Sequence, residues 1–138
     1  MKFLAALALL PLLHTSLARA GDATPIPPGA VRLSTAEIQA AFSGVRDRAS
    51  VQDSAGTTAV NAWYSDGSFV NRWQNGEHSG EVRGRWWARD DKRCIVITAG
   101  LPEREGVESC SPLYREGERY FSVNPDGSVH GIHQLSPL

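Results

Sequence analysis

From Thr57 to the carboxyl terminus the chain alternates apolar and polar residues with a period of two, and short runs rich in Gly, Asp, Asn and Pro interrupt the alternation. Period two puts successive side chains on opposite faces of a strand, and brief turn-rich connections allow only antiparallel neighbours. The pattern predicts strands over Thr57–Tyr64, Ser68–Gln74, Glu81–Arg89, Lys92–Thr98, Val107–Tyr114, Arg119–Val123 and Ser128–Leu135. Seven strands joined this way make an antiparallel meander, which escapes its exposed edges by closing or curling into a small barrel. The expected class is therefore mainly all-β. In "EVRGRWWAR" the alternation sends Val82, Gly84, Trp86 and Ala88 to one face and Arg83, Arg85, Trp87 and Arg89 to the other. Trp86 belongs to the core, with Gly84 allowing a bulge or a close approach. "RCIVIT" is apolar on both faces, as in a strand covered on both sides.

Asp66-Gly67-Ser68 inside "WYSDGSFVNRW" returns as Asp126-Gly127-Ser128 inside "YFSVNPDGSVHGI". Asp-Gly between alternating runs signals a tight hairpin, and a type I′ turn is expected at both places. The copies fall at different stages of the meander and share no neighbour that could do chemistry, so they read as two turns and not as a repeated site.

Ahead of the strands, "LSTAEIQAAFSG" carries a complete set of helix punctuation. Ser34 and Glu37 stand at capping-box spacing, Leu33 and Ile38 at staple positions, and Gly44 supplies the stop. Ile38, Ala41 and Phe42 form one apolar stripe, and a helix this short needs a sheet to lie on. One short amino-terminal helix packed over the sheet is the expectation.

The first twenty residues read as an export signal, with Lys2, an apolar run from Phe3 to Leu13, and Ala18-Arg19-Ala20 as the cleavage motif. The apolar run is shorter than the roughly 20 residues a membrane span needs, so a periplasmic or secreted protein is expected, with no span after cleavage. Residues 21–30 are a Pro- and Gly-rich leader, expected to be extended or flexible, and residues 31–138 form one domain. Cleavage after Ala20 removes Lys2 and Arg19 from the 14 basic residues and leaves 12 against 15 acidic ones, a formal charge of −3. That balance is not a nucleic-acid binder's.

Cys94 and Cys110 are the only cysteines, and their midpoint is Pro102, inside the turn-like "AGLPEREG". A hairpin centred there sets them opposite each other within disulfide reach, where a bridge is worth about 3 kcal/mol in the chain-entropy description. Two cysteines supply half a zinc site, and no Cys-x-x-Cys redox motif is present.

Few residues suggest chemistry. His130 and His133 of "HGIH" fall on opposite faces of a strand at this spacing, and His78 sits in the turn "QNGEHSG", so no metal site and no cofactor are expected. No Gly-x-Ser-x-Gly elbow or phosphate-binding loop occurs, and the reading is non-enzymatic. What remains is a surface. Arg72, Arg83, Arg85 and Arg89, with Trp87 and either Trp63 or Trp73, make a candidate basic and aromatic binding face for an unknown protein or an anionic envelope polymer. The competing reading pairs these arginines with Glu81, Asp90 or Glu118 across strands.

The order of "LSTAEIQAAFSG", "YSDG", "GRWW", Cys94, Cys110, "GERYF" and "PDG" resembles small exported proteobacterial β-rich proteins grouped as a domain of unknown function. The resemblance implies a periplasmic or secreted β-rich domain and offers no catalytic residues. A weaker likeness, in "REGERYFS", is to periplasmic lysozyme inhibitors, with Glu116 in place of their loop serine; it implies an inhibitor or immunity protein of an envelope hydrolase as the alternative. A small-ligand-binding, lipocalin-like barrel is the second alternative, for which seven short strands leave little lumen.

Overall fold

The computed structural model describes residues 23–138; the segment read as a signal peptide, residues 1–20, lies outside the described residues. In chain order the elements are β1 (Val31–Arg32), α1 (Thr35–Phe42), β2 (Val45–Val51), β3 (Thr58–Trp63), β4 (Ser68–Asn75), β5 (His78–Arg89), β6 (Lys92–Ala99), β7 (Glu108–Glu116), β8 (Arg119–Val123) and β9 (Val129–Pro137). Each strand from β2 to β9 pairs antiparallel with the next, and β9 returns to pair with β2. The result is a closed eight-stranded meander barrel. The short β1 hydrogen-bonds to β7 outside the closed ring.

All seven expected strands are present, with ends shifted by a few residues. The eighth, β2, lies ahead of Thr57, outside the stretch over which the sequence pattern predicts strands. Its alternation is regular in space: Asp47 and Ala49 are buried while Arg46, Arg48 and Ser50 are exposed. The pattern is hidden in one dimension because the inward position at its centre carries a carboxylate in place of an apolar side chain.

Both Asp-Gly copies form the same turn, but not type I′. Gly67 and Gly127 each have φ 86°, while Asp66 and Asp126 stay at negative φ. The Gly67 amide donates to the Tyr64 carbonyl at 3.1 Å and the Tyr64 amide to the Ser68 carbonyl at 3.0 Å, a type I turn followed by a glycine bulge. Asn124, Gly127 and Ser128 repeat those bonds. The aspartate selects this geometry locally, since its Oδ1 accepts from the amide of the following serine at 2.8 Å in one copy and 2.9 Å in the other. Positive φ at both centre positions occurs instead at Asp90 and Asp91, between β5 and β6.

The expected capping box is formed, with the Glu37 amide donating to Ser34 Oγ at 3.3 Å and the Ser34 amide to Glu37 Oε2 at 2.7 Å. Asp91 fixes the helix start by accepting from the Thr35 amide at 2.7 Å. So anchored, α1 packs on β5 and β6 and sends Ile38 and Phe42, both fully buried, into one end of the barrel. Phe42 meets Trp63, Tyr120 and His133 edge to face, with centroids 6.0, 5.8 and 6.5 Å away. Burying two such side chains is worth about 1.5–3 kcal/mol each, which a helix too short to stand alone requires.

Gly84 shows why the wall needs a residue without a side chain. A Cβ there would lie 2.2 Å from the Val96 carbonyl oxygen and 2.6 Å from the Phe69 ring, beside a shift in the β5–β6 register. Across the next ladder Cys94 pairs directly with Cys110 and the two are disulfide-bonded, as the register centred on Pro102 predicts. Of the leader, residues 23–30 are described and tied down: the Val129 amide donates to the Thr24 carbonyl, and the Thr24 hydroxyl donates to Gln52.

Candidate functional site

Inward positions on the half of the barrel away from α1 are small. Ala49, Ala59, Ser109, Ser111 and Gly131 leave a cavity of about 320 Å³ among Val82, Ile95, Ile97 and Trp73, with Leu101, Arg104 and His130 also lining it. An eight-stranded barrel has an interior wide enough either to be filled by side chains or to hold one small ligand. Here the helix end is filled and the other end holds the cavity, so the expectation of little lumen from seven strands is corrected by the eighth.

A chain of polar side chains lies at the buried floor. Asp47 is fully buried and accepts from the Trp63 indole N–H at 3.0 Å, from the Asn61 amide at 3.0 Å and from His133 Nδ1 at 3.0 Å. Asn61 in turn accepts from Asn71 at 2.6 Å. The far side of the imidazole, Nε2, is 2.9 Å from the hydroxyl of Ser122, itself 1% exposed. Burial pushes the Asp47 carboxyl pKa up, but the charge and hydrogen bond of His133, the Arg93 guanidinium and the Trp63 indole together hold it below the usual carboxylate value. An ionised Asp47 only accepts, so His133 carries its proton on Nδ1 and, when neutral, accepts from the Ser122 hydroxyl.

Arg93 is the second charged group of the floor. Its guanidinium lies 4.7 Å from the centre of the Phe42 ring and 4.3 Å from that of Trp63, within cation–π range. Among the described residues its Nη1 is the one buried side-chain nitrogen or oxygen without a hydrogen-bond partner. Burial, only partly offset by Asp47, lowers the guanidinium pKa to about 10. The described residues lining the cavity include Arg93, Arg104, His130 and His133 and no carboxylate. A site of this composition is suited to an anion.

The two histidines of "HGIH" differ in burial as their spacing predicts, His133 being buried and His130 exposed. Ser122 pairs with Gly131 and Val123 with Val129, so His130 is an extra residue at a register shift, and it lines the same cavity as His133. Burial and the charges of His133, Arg93 and Arg104 lower the His130 pKa. One trio of potential metal-ligating residues occurs among the described ones, Cys94, Glu108 and Cys110, and the disulfide consumes both of its sulfurs.

The outer face holds the arginine stripe. Arg83, Arg85, Trp87 and Arg89 share one side of β5, and Arg72 lies beside them on β4, as the alternation predicts. Each arginine has an acidic or carbonyl partner. Arg72 and Arg83 bracket Glu81 at 3.0 and 2.6 Å, Arg85 donates to the Asp66 carbonyl at 3.2 Å, and Arg89 pairs with Glu108 and Asp90. Trp63 and Trp73 are not part of that stripe; both face inward and line the cavity. Glu81, Asp90 and Glu108 therefore offset much of the positive charge of this face.

Asp47, Arg93 and Ser122 were not singled out by motif, because they come from three separate strands. The available signal is phase: Arg93, Ile95 and Ile97 alternate together, which places an arginine on the inward side.

Fold and site define a helix-plugged, eight-stranded antiparallel barrel with an open lumen and a charged floor. No protein-family model, curated protein or solved structure matches the chain.

Proposed function

We propose that the barrel binds a small organic anion in its lumen, an apolar or aromatic body ending in a carboxylate. The observation that carries this reading is the buried, unpartnered Nη1 of Arg93 in a cavity whose lining includes no carboxylate. A buried donor without a partner costs free energy, and a charged one costs more, so a ligand carboxylate offsets a penalty already present in the free protein. The cavity volume of about 320 Å³ lies at the small end of the range for ligand pockets, which favours a compact ligand over a lipid. Residues 1–20, read as an export signal, would place this binding outside the cytoplasm, an address with which the disulfide is compatible.

The test is titration followed by tryptophan fluorescence, since Trp63 and Trp73 line the cavity. Benzoate and octanoate are compared with benzyl alcohol and octanol. The acids bind and the alcohols bind more weakly; Arg93→Met lowers acid affinity about 10- to 100-fold, the loss of a hydrogen bond to a charged group. Equal affinity for acid and alcohol, or an Arg93→Met protein that binds as the wild type does, overturns the reading.

A further inference from the structure

We infer that Ser122, His133 and Asp47 form an acyl-transfer site on the floor of the lumen, acting on esters of small carboxylic acids. The inference rests on the lumen being a binding site and assigns it a substrate class.

The geometry is that of an activated nucleophile. Ser122 Oγ stands 2.9 Å from His133 Nε2, and His133 Nδ1 stands 3.0 Å from Asp47 Oδ2 and 3.1 Å from Oδ1. A nucleophile within hydrogen-bond reach of a base, with the base oriented by a third group, is how such sites are recognised in unrelated folds. Asp47 is itself held by Trp63 and Asn61, so the imidazole has a fixed orientation and tautomer before any ligand enters. Chain order is no obstacle, because β8 and β9 are neighbours and β9 pairs with β2, which brings residues 47, 122 and 133 together across three adjacent strands.

Two further observations separate this arrangement from a merely satisfied buried network. Ser122 and His133 are both among the residues that line the cavity, so the pair lies at its wall. Gly131 sits beside them: a Cβ at that position would lie 3.1 Å from His133 Nε2 and 3.2 Å from Ser122 Oγ, so a side chain there would crowd both reacting atoms. Arg93 also lines the same cavity and brings to it a positive charge that favours a developing oxyanion.

The steps balance with water as the second substrate. Ser122 Oγ attacks the ester carbonyl carbon while its proton passes to His133 Nε2. The tetrahedral intermediate collapses, the bond to the leaving alcohol breaks, and His133 returns the proton to that alcohol. Water then attacks the acyl-serine with His133 accepting its proton; the bond between Ser122 Oγ and the acyl carbon breaks, His133 returns the proton to Ser122 Oγ, and the carboxylic acid leaves. Ser122 and His133 touch the reacting atoms; Asp47 is a positioning residue. The product is the ligand class proposed above.

The experiment treats the folded, disulfide-bonded protein with diisopropyl fluorophosphate and maps the adduct by mass spectrometry, with p-nitrophenyl acetate hydrolysis measured alongside. A single adduct on Ser122 is expected, lost in Ser122→Ala and slowed about 10³-fold or more in His133→Ala. Asp47→Asn slows labelling and moves the acid limb of its pH dependence, which a purely structural role would not do. Mapping the wild-type protein needs no variant to fold, and near-ultraviolet circular dichroism checks those that are used. No adduct, or one at another residue, while benzoate or octanoate still binds overturns the acyl-transfer site and leaves the lumen reading standing. No adduct together with no carboxylate binding overturns both.

Discussion

At the helix end of the barrel, Phe42, Trp63 and Trp86 meet edge to face, with Trp63 set 6.0 Å from each of the other two. At the other end the inward positions of the same sheet include Ala49, Ala59, Ser109 and Gly131, and a cavity of about 320 Å³ remains. Strand number fixes the barrel's width, so the difference between a solid end and a hollow one comes from side-chain volume alone. The solid end also carries the cost of the polar floor. Asp47, Asn61, Ser122 and His133 are buried there with their hydrogen bonds made, and the rigid aromatic packing around them keeps those bonds in place.

The contrast breaks most sharply at Phe42. Phe42→Ala removes the plug from a fully packed site and is expected to cost about 3–5 kcal/mol, read from urea denaturation. Asp47→Asn comes next, at about 3 kcal/mol, because an amide cannot accept from His133, Trp63 and Asn61 together. Its effect depends on pH in a defined direction. The folded-state carboxyl titrates below its unfolded value of about 3.9, so the stabilisation is complete above pH about 4 and is lost as pH falls through the lowered folded value. Melting temperatures of wild type and Asp47→Asn should therefore lie far apart at neutral pH and converge on acidification. A gap that stays constant with pH would show that Asp47 is not held as the anion.

At the hollow end the same kind of change should do little to stability. Ala59→Leu extends into the cavity that Ala59 lines, and its stability should stay within about 1 kcal/mol of wild type while carboxylate binding is lost. A loss as large as that of Phe42→Ala would mean that the cavity does not have the room described.

The strand pattern, the helix with its caps and the cysteine register could all be read in one dimension, because each depends on neighbours a few residues apart or on a hairpin's symmetry. The inward and outward faces of β5 were equally legible, down to the split of Trp86 from Trp87. The outer stripe of Arg72, Arg83, Arg85, Trp87 and Arg89 was placed correctly, but its ion pairs with Glu81 and Glu108 depend on rotamers that a sequence does not specify. Ser122 looked like any strand serine, and Asp47 concealed the strand it sits on.

Local sequence, then, determined that this chain is an antiparallel β-meander with one capped helix and a bridged hairpin, since alternation, turn chemistry and capping act over a few residues. Only the tertiary structure decided that the meander closes with eight strands, that His130 stands at a register shift beside the cavity His133 lines, and that Asp47, Arg93, Ser122 and His133 share one buried floor. Closure is a long-range event: β2 meets β9 at separations of 80 residues or more, with Asp47 and His133 separated by 86, and no local signal reports which inward-facing polar groups will meet when the ring is complete.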